Sequence, residues 1–513
     1  MNSIKNGVIL SYLSLIFTIL VALLYTPIMI RLLGQSDYGL YALIGSVAAY
    51  FSIMDMGLGN AIIRYTARNR AVGDKVAESK LNGMFLILYS LLGGFVLIAG
   101  FIFLNKVDNI FGSSLTLVEI KKAKIMIIIL IINFAISFPL GVFGSIMQAY
   151  EKFVPIKLTV IVRTLLTPLV TIPLLYLGYG TVSMVLITTL VNIMCLLFSV
   201  YYSFKYLKTR FYFGKIDYQL LKEILIYSFF VFLGVIVDQI YWNTDQFILG
   251  IVAGTIPVAV YAIAMQFIKI YMQFSTSISG MFLPRVSMMV ANEASSLELT
   301  ELMVKYGRLQ YIIMSYILSG FILFGQPFIN MWAGINYRDA YYIIILIMLP
   351  LSIPLIQNVG VSILYAKNLQ GFRSLILITI AILNVIISLP LAKEFGGIGA
   401  ALATTVSLIV GNIVCMNIYY HYKIGINMKN FWVNIILMSV PVLIAMFIGA
   451  GINYMIEERG VFFFSLKVLF FSIAFVSLMW SLGFNKYEKN LVLSILKSSK
   501  LLFFLKDATH KEV

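Results

Sequence analysis

The sequence predicts an all-α polytopic membrane protein of about 14 transmembrane helices, built as two six-helix lobes plus two C-terminal helices. Three observations predict it. Of 513 residues, 61% are hydrophobic and 11% charged, with a mean hydropathy of +0.98; a soluble domain is about half apolar and a quarter charged. Such a chain has no polar skin for water, which excludes a secreted disulfide scaffold, a disordered protein and an ordinary cytosolic enzyme. The apolar residues fall into runs near 8–30, 40–63, 81–104, 125–147, 158–177, 181–203, 224–249, 257–283, 309–331, 341–365, 374–392, 398–420, 431–453 and 462–484, mostly of the 20 or so residues a spanning helix needs. Finally, the chain echoes itself in order at offsets of 216 to 221 residues: Leu33-Gly34 in Leu249-Gly250, Tyr41-Ala42 in Tyr261-Ala262, Arg64 in Arg285, Ser145-Ile146 in Ser362-Ile363, and Asn192-Ile193 in Asn412-Ile413.

An even number of helices per repeat makes both halves enter the membrane the same way round. The pseudo-two-fold axis then runs along the membrane normal. The expected domains are 1–210 and 211–425 as the two lobes, 426–484 as the last helix pair and 485–513 as a tail. Charge sets the orientation. With the N-terminus in the cytosol, 26 of the 37 Lys and Arg fall in inner segments and 9 in outer ones, as the positive-inside rule requires. Both termini are therefore expected to be cytoplasmic, and the net charge of +16 reads as topology rather than nucleic-acid binding.

Taken in order, the first run is too long for a signal-peptide core and lacks a small-residue cleavage site, so it reads as a retained helix. It carries Ser11, Ser14, Thr18 and Tyr25 at helical spacing. The second run carries Tyr41, Gly45, Ser52, Asp55 and Gly59 on one face. Arg163, in the fifth run, is shallow enough to snorkel to the interface. In the seventh run Asp238, Trp242 and Asp245 share a face, because seven residues return within about 20° of the start. Asp245 lies near the outer face, where water would reach it. The eighth run has the strongest stripe: Gln266, Lys269, Gln273, Thr276 and Gly280. After it, 285–308, with Glu293, Glu298 and Glu301 beside an apolar face, is expected to lie on the cytoplasmic interface as an amphipathic helix. A polar stripe on a spanning helix must face protein or water. Helices 1 and 2 correspond to 7 and 8 under the repeat, so the four stripes are expected to line one polar cleft between the lobes.

Lys269 lies 16 residues from Arg285 and Asp238 15 from Glu223, which places them about 24 and 22 Å from the cytoplasmic end at 1.5 Å per residue. At that shared depth Lys269 either attracts an anionic headgroup and exchanges partners with Asp238 or forms a static ion pair with it. Asp55 is either a protonation or cation site or the cap of a helix broken near Gly57 and Gly59. Asp55, Asp238 and Asp245 are thus the candidates for ion coupling or gating. Cys195 and Cys415 lie inside apolar runs, and no metal-ligating cluster, phosphate loop, HExxH or nucleophile elbow is present. No catalytic residue and no metal site are expected.

The run Ile30-Arg31-Leu32-Leu33-Gly34-Gln35-Ser36-Asp37-Tyr38-Gly39-Leu40-Tyr41, with Asp55-Met56-Gly57-Leu58-Gly59-Asn60 and Arg64-Tyr65, resembles the polysaccharide transporter family. That is the Wzx-type flippase branch of the multidrug/oligosaccharidyl-lipid/polysaccharide exporter superfamily. The resemblance implies two six-helix lobes around a cationic cavity, working by alternating access in the bacterial plasma (inner) membrane. The implied cargo is an undecaprenyl-pyrophosphate-linked oligosaccharide, moved from the inner to the outer leaflet for O-antigen, capsule or exopolysaccharide assembly. The implied partners are this lipid-linked substrate, membrane lipids, and the polymerase and glycosyltransferases of the same pathway, with no nucleic acid. Arg31 and Arg64 match basic positions of the family motif. With Arg285, Lys269, Gln266 and Gln273 they form the expected substrate-binding set. No cofactor is implied beyond a proton or sodium ion as coupling ion. The competing readings are an ion-coupled multidrug exporter of the same superfamily and a flippase for a peptidoglycan or teichoic-acid precursor. A membrane-embedded glycosyltransferase is disfavoured, because the outer loops are short and lack a carboxylate pair.

Overall fold

A computed structural model describes residues 2–214, 217–279, 283–456 and 460–494. Among them the chain is helical throughout, with no strand. In chain order the helices are α1 (Asn2–Leu33), α2 (Gln35–Ile53), α3 (Leu58–Val72), α4 (Lys75–Phe111), α5 (Leu117–Ala149), α6 (Phe153–Tyr176), α7 (Thr181–Lys205), α8 (Tyr218–Val252), α9 (Thr255–Ser279), α10 (Leu283–Ala291), α11 (Ser296–Trp332), α12 (Ala340–Ile356), α13 (Asn358–Ala366), α14 (Gln370–Ser407), α15 (Met416–Tyr419), α16 (Met428–Met455) and α17 (Val461–Leu478).

Among the described residues, 12 helical segments are long and apolar enough to cross a membrane, or 13 if the bent pair α2–α3 counts as one span. The segment Gln370–Ile424 is 55 residues long and turns at Gly396 (φ 57°, ψ −134°). It therefore holds two of the predicted runs. The run at 40–63 is not one straight helix. It bends by 42° between α2 and α3, where Met56 (φ 53°) and Gly57 (φ 72°) adopt left-handed backbone that glycine tolerates best. The segment 285–308 also differs from expectation. The chain breaks after α10, with Glu293 at φ 56°, and Ser295 and Glu298 form a capping box that starts α11. A capping box satisfies two backbone N–H groups at a helix start. Glu298 and Glu301 thus belong to the first turns of α11, a helix long and apolar enough to span a membrane, and 285–308 is not one continuous helix.

Contacts divide the chain into two compact units: Met1–Ile263 with Ile380–Thr404, and Ala264–Thr379 with Thr405–Val513. In the first unit α4 packs along α5, α5 on α7 and α1 on α6. The residues of the family-like motif serve one junction there. The Glu119 carboxylate accepts from Ser36 Oγ (2.6 Å), Thr255 Oγ1 (2.7 Å), and Thr116 N and Oγ1 (2.8 Å each). Asp37 pairs with Lys122 at 2.7 Å. Gly39 brings the backbone of α2 against the start of α9, since a Cβ there would lie 1.9 Å from the Thr255 carbonyl oxygen. Gly39→Ala is expected to destabilise the protein by about 1–3 kcal/mol, the cost of overpacking. Gly45→Ala, on the same helix with nothing within 4 Å of the new Cβ, should be near neutral; thermal unfolding of both variants in detergent checks the contrast.

The second unit is centred on α11, α16 and α17, where Phe324, Met438, Val442, Ala445, Phe471, Phe475 and Met479 form a buried cluster. Tyrosines of α11 tie these helices by hydroxyl pairs, Tyr311 to Ser439 at 2.6 Å and Tyr316 to Ser472 at 2.7 Å. Past the last span, Glu488 accepts two hydrogen bonds from Arg308, at 2.7 and 2.9 Å, with both side chains buried.

Candidate functional site

Helix α9 is the most buried of the candidate spans, with 67% of its window inside the protein. In the second unit its inner face is anchored by Tyr271 and Ser275. Tyr271 Oη lies 2.8 Å from Ser352 Oγ, and Ser275 Oγ donates to the Leu355 carbonyl at 2.8 Å and accepts from Asn358 Nδ2 at 2.7 Å. Gln266, Lys269, Gln273 and Thr276 lie on the other side of the helix, given 3.6 residues per turn. Lys269 and Thr276 are exposed, and Gln266 and Gln273 half-buried. Lipid demands apolar side chains on any face it touches. This face carries a cation and two amides, so it faces protein, water or a polar ligand rather than lipid. The sequence stripe and the structure agree in placing these residues together.

The polar residues of α1 behave differently. Ser14 Oγ donates to the Ser11 carbonyl at 2.8 Å and Thr18 Oγ1 to the Ser14 carbonyl at 2.7 Å, so both hydroxyls are satisfied by their own helix. Tyr25 meets Thr171 of α6 at 2.7 Å. In the break between α2 and α3, the N-cap of α3 is Gly57, not Asp55. Instead Asp55 Oδ1 accepts from Tyr89 Oη at 2.6 Å. Arg64 is exposed on α3, with its guanidinium carbon 4.7 Å from the centre of the Tyr227 ring on α8, a cation–π geometry. Arg31 is exposed in the last turn of α1, Arg163 is exposed on α6, and the Arg285 side chain lies outside the described residues.

Asp238 and Asp245 share a face of α8 but not an environment. Asp238 is exposed, whereas Asp245 is 3% exposed. The expected wet Asp245 is corrected: its Oδ1 accepts from Ser388 Oγ at 2.8 Å, and its Oδ2 from Thr404 Oγ1 at 2.6 Å and Tyr261 Oη at 2.7 Å. Asn384 completes the cluster through Ser388 (2.8 Å) and Thr404 (3.4 Å). Among the described residues no Lys or Arg pairs with this carboxylate. An all-oxygen donor set suits a proton or a hard monovalent cation, and a buried charge needs such a counter-charge. Sequence reading missed Tyr261, Asn384, Ser388 and Thr404. Hydroxyls and amides inside apolar runs were the only trace of them. No group of three or more His, Cys, Asp or Glu able to hold a metal occurs among the described residues.

A family profile described as polysaccharide biosynthesis protein matches residues 4–290. The chain belongs to that polysaccharide biosynthesis family. Comparison with curated proteins finds none that matches. Among solved structures, this family member is similar to the lipid II flippase MurJ in an inward closed conformation, at a TM-score of 0.73 and 17% identity over 92% of this chain and 98% of that one. It is also similar to an inward-facing multidrug resistance transporter of the MATE family, with a TM-score of 0.60 and 18% identity over 76% and 96% of the two chains. A transporter of the same superfamily from Pyrococcus furiosus follows at a TM-score of 0.56 and 16% identity, over 80% and 93%. These likenesses establish that the chain shares the fold of those structures, and its apolar spans make it a multi-pass membrane protein.

Proposed function

We propose that the protein is a flippase that moves undecaprenyl-pyrophosphate-linked oligosaccharide units from the inner to the outer leaflet of the bacterial plasma membrane by alternating access, with both termini cytoplasmic. The polymer built outside would be O-antigen, capsule or exopolysaccharide. One observation carries the reading: the exposed face of α9, the most buried span, bears Lys269 between Gln266 and Gln273. A pyrophosphate with its sugars cannot cross about 30 Å of hydrocarbon without a polar path. A cation with amides three and four residues away on the same helix face is what such a headgroup needs, charge for the phosphates and donors and acceptors for the hydroxyls. Arg64, exposed on α3, Arg31 and Arg285 are the other basic residues assigned to substrate binding.

Coupling is assigned to Asp245, whose buried all-oxygen surroundings favour binding and release of a proton or sodium ion. Asp55, held by Tyr89, and Asp238 are assigned to gating. A cationic drug would gain nothing from the Lys269 face, which argues against multidrug export. A peptidoglycan or teichoic-acid precursor remains the alternative cargo, because its headgroup poses the same physical problem. Deleting the gene separates these. Accumulation of the lipid-linked repeat unit in the inner leaflet, with cell-wall precursors unchanged, is the expected result; accumulation of a peptidoglycan or teichoic-acid precursor instead would overturn the assignment of cargo.

A further inference from the structure

The first unit contains a cavity of about 580 Å³ that the transport reading leaves unused, framed by the ends of α3, α4 and α8 and by the segment preceding α8. Its size falls within the roughly 300–1,000 Å³ typical of small-molecule sites. Tyr65, Asn69, Tyr212, Gln219 and Glu223 are among its walls. Tyr212 is fixed in place: its N–H donates to the Ser79 carbonyl at 2.9 Å, and Gly83 lets the Tyr212 backbone approach α4 so closely that a Cβ would lie 2.1 Å from the Tyr212 carbonyl oxygen. Asn82 adds a bond to the Arg210 carbonyl at 3.2 Å. These contacts strap the segment to α4 and hold an aromatic ring on the cavity wall.

The charges of the lining are mixed: Arg68 and Lys80 against Asp74, Asp217 and Glu223. Asp74 and Asp217 each cap a helix, accepting from Val76 and Ala77 and from Gln219 and Leu220. With two cations against three carboxylates, a phosphate gains no net attraction. An uncharged polyol does gain, from amide and carboxylate hydrogen bonds and from aromatic faces that cover its C–H surfaces. One turn further along both helices lies the cation. Arg64 is four residues before Arg68 on α3, and Tyr227, over which Arg64 sits, is four residues after Glu223 on α8, a step of about 6 Å. The order along the wall is thus polyol-suited cavity, then cation, then apolar helix.

Resting on the flippase reading, we propose that this cavity is a saccharide site, which receives the oligosaccharide of the lipid-linked carrier on the side assigned to the cytosol while Arg64 meets its pyrophosphate. The order of groups along the wall matches the order in the carrier: sugars, pyrophosphate, hydrocarbon tail. The site selects for carriers bearing a complete unit.

The test uses purified full-length protein in proteoliposomes with two carriers from the host, one bearing the complete repeat unit and one a single sugar. Asn69→Leu and Gln219→Leu are expected to slow the complete unit roughly tenfold, the worth of a hydrogen bond or two, and to leave the single-sugar carrier near the wild-type rate. Equal slowing of both carriers, or of neither, would overturn the proposal. Wild-type protein moving neither carrier would instead overturn the flippase reading beneath it. A binding measurement separates sugar from phosphate. In a Cys415→Ser background, Val72→Cys on the rim is labelled by an impermeant maleimide, and oligosaccharide released from the carrier should slow that labelling. Protection by inorganic pyrophosphate alone would count against a saccharide site.

Discussion

Replacing Lys269 by alanine is expected to leave the chain inserted in the membrane while cutting export of surface polysaccharide by roughly a hundredfold, about 2.7 kcal/mol of lost headgroup interaction. The magnitude follows from removing one charged partner of a desolvated ion pair, here the pyrophosphate. Folding should survive, because Lys269 is exposed and its truncation opens no cavity, whereas the anchors of α9, Tyr271 and Ser275, stay in place. Lys269→Arg should retain part of the activity, since the charge persists but the bidentate fork differs from a compact ammonium. The measurement pairs surface polymer with the amount of lipid-linked unit in the inner leaflet. Normal polymer from a well-expressed Lys269→Ala protein would remove this residue from the path.

Asp245→Asn should uncouple transport. The amide keeps the size of the side chain and a carbonyl oxygen for Thr404 and Tyr261, and its NH2 can donate to the Ser388 hydroxyl in place of the bond accepted now, but it can neither release a proton nor neutralise a sodium ion. In wild-type proteoliposomes a tenfold gradient of the coupling ion supplies about 1.4 kcal/mol, and the flipping rate should follow its direction. In Asp245→Asn the rate should become indifferent to the gradient. A variant that still responds to imposed proton and sodium gradients would move the coupling site elsewhere, Asp55 and Asp238 being next to test.

Composition and periodicity made the all-helical membrane fold and its fourteen runs legible, because lipid imposes the same apolar demand on every span. The stripe on α9 was legible for the same reason: a lysine and two glutamines at three- and four-residue spacing have no place against lipid. The serines and threonine of α1 show the limit of that logic, since Ser14 and Thr18 bond back to their own helix and need no cavity. Asp245 was misplaced because its partners Ser388 and Thr404 come from more than 140 residues away. No local spacing announces such a contact. The cavity beside α3 was hidden for a related reason: Tyr212 belongs to a connecting segment whose course depends on the glycine contact with α4. Helix boundaries, too, turned on local chemistry within reach of the eye, as with the Ser295–Glu298 box that begins α11.

On the proposed function, this chain alone carries a pyrophosphate-linked saccharide across a bilayer along a path that includes Lys269. Its most direct test is to reconstitute the purified protein into liposomes whose inner leaflet holds the lipid-linked repeat unit, and to follow its appearance outside with a membrane-impermeant sugar-modifying enzyme. Time-dependent exposure is expected with wild-type protein and almost none with Lys269→Ala. Exposure no faster than in protein-free vesicles, or equally fast with both proteins, would contradict it.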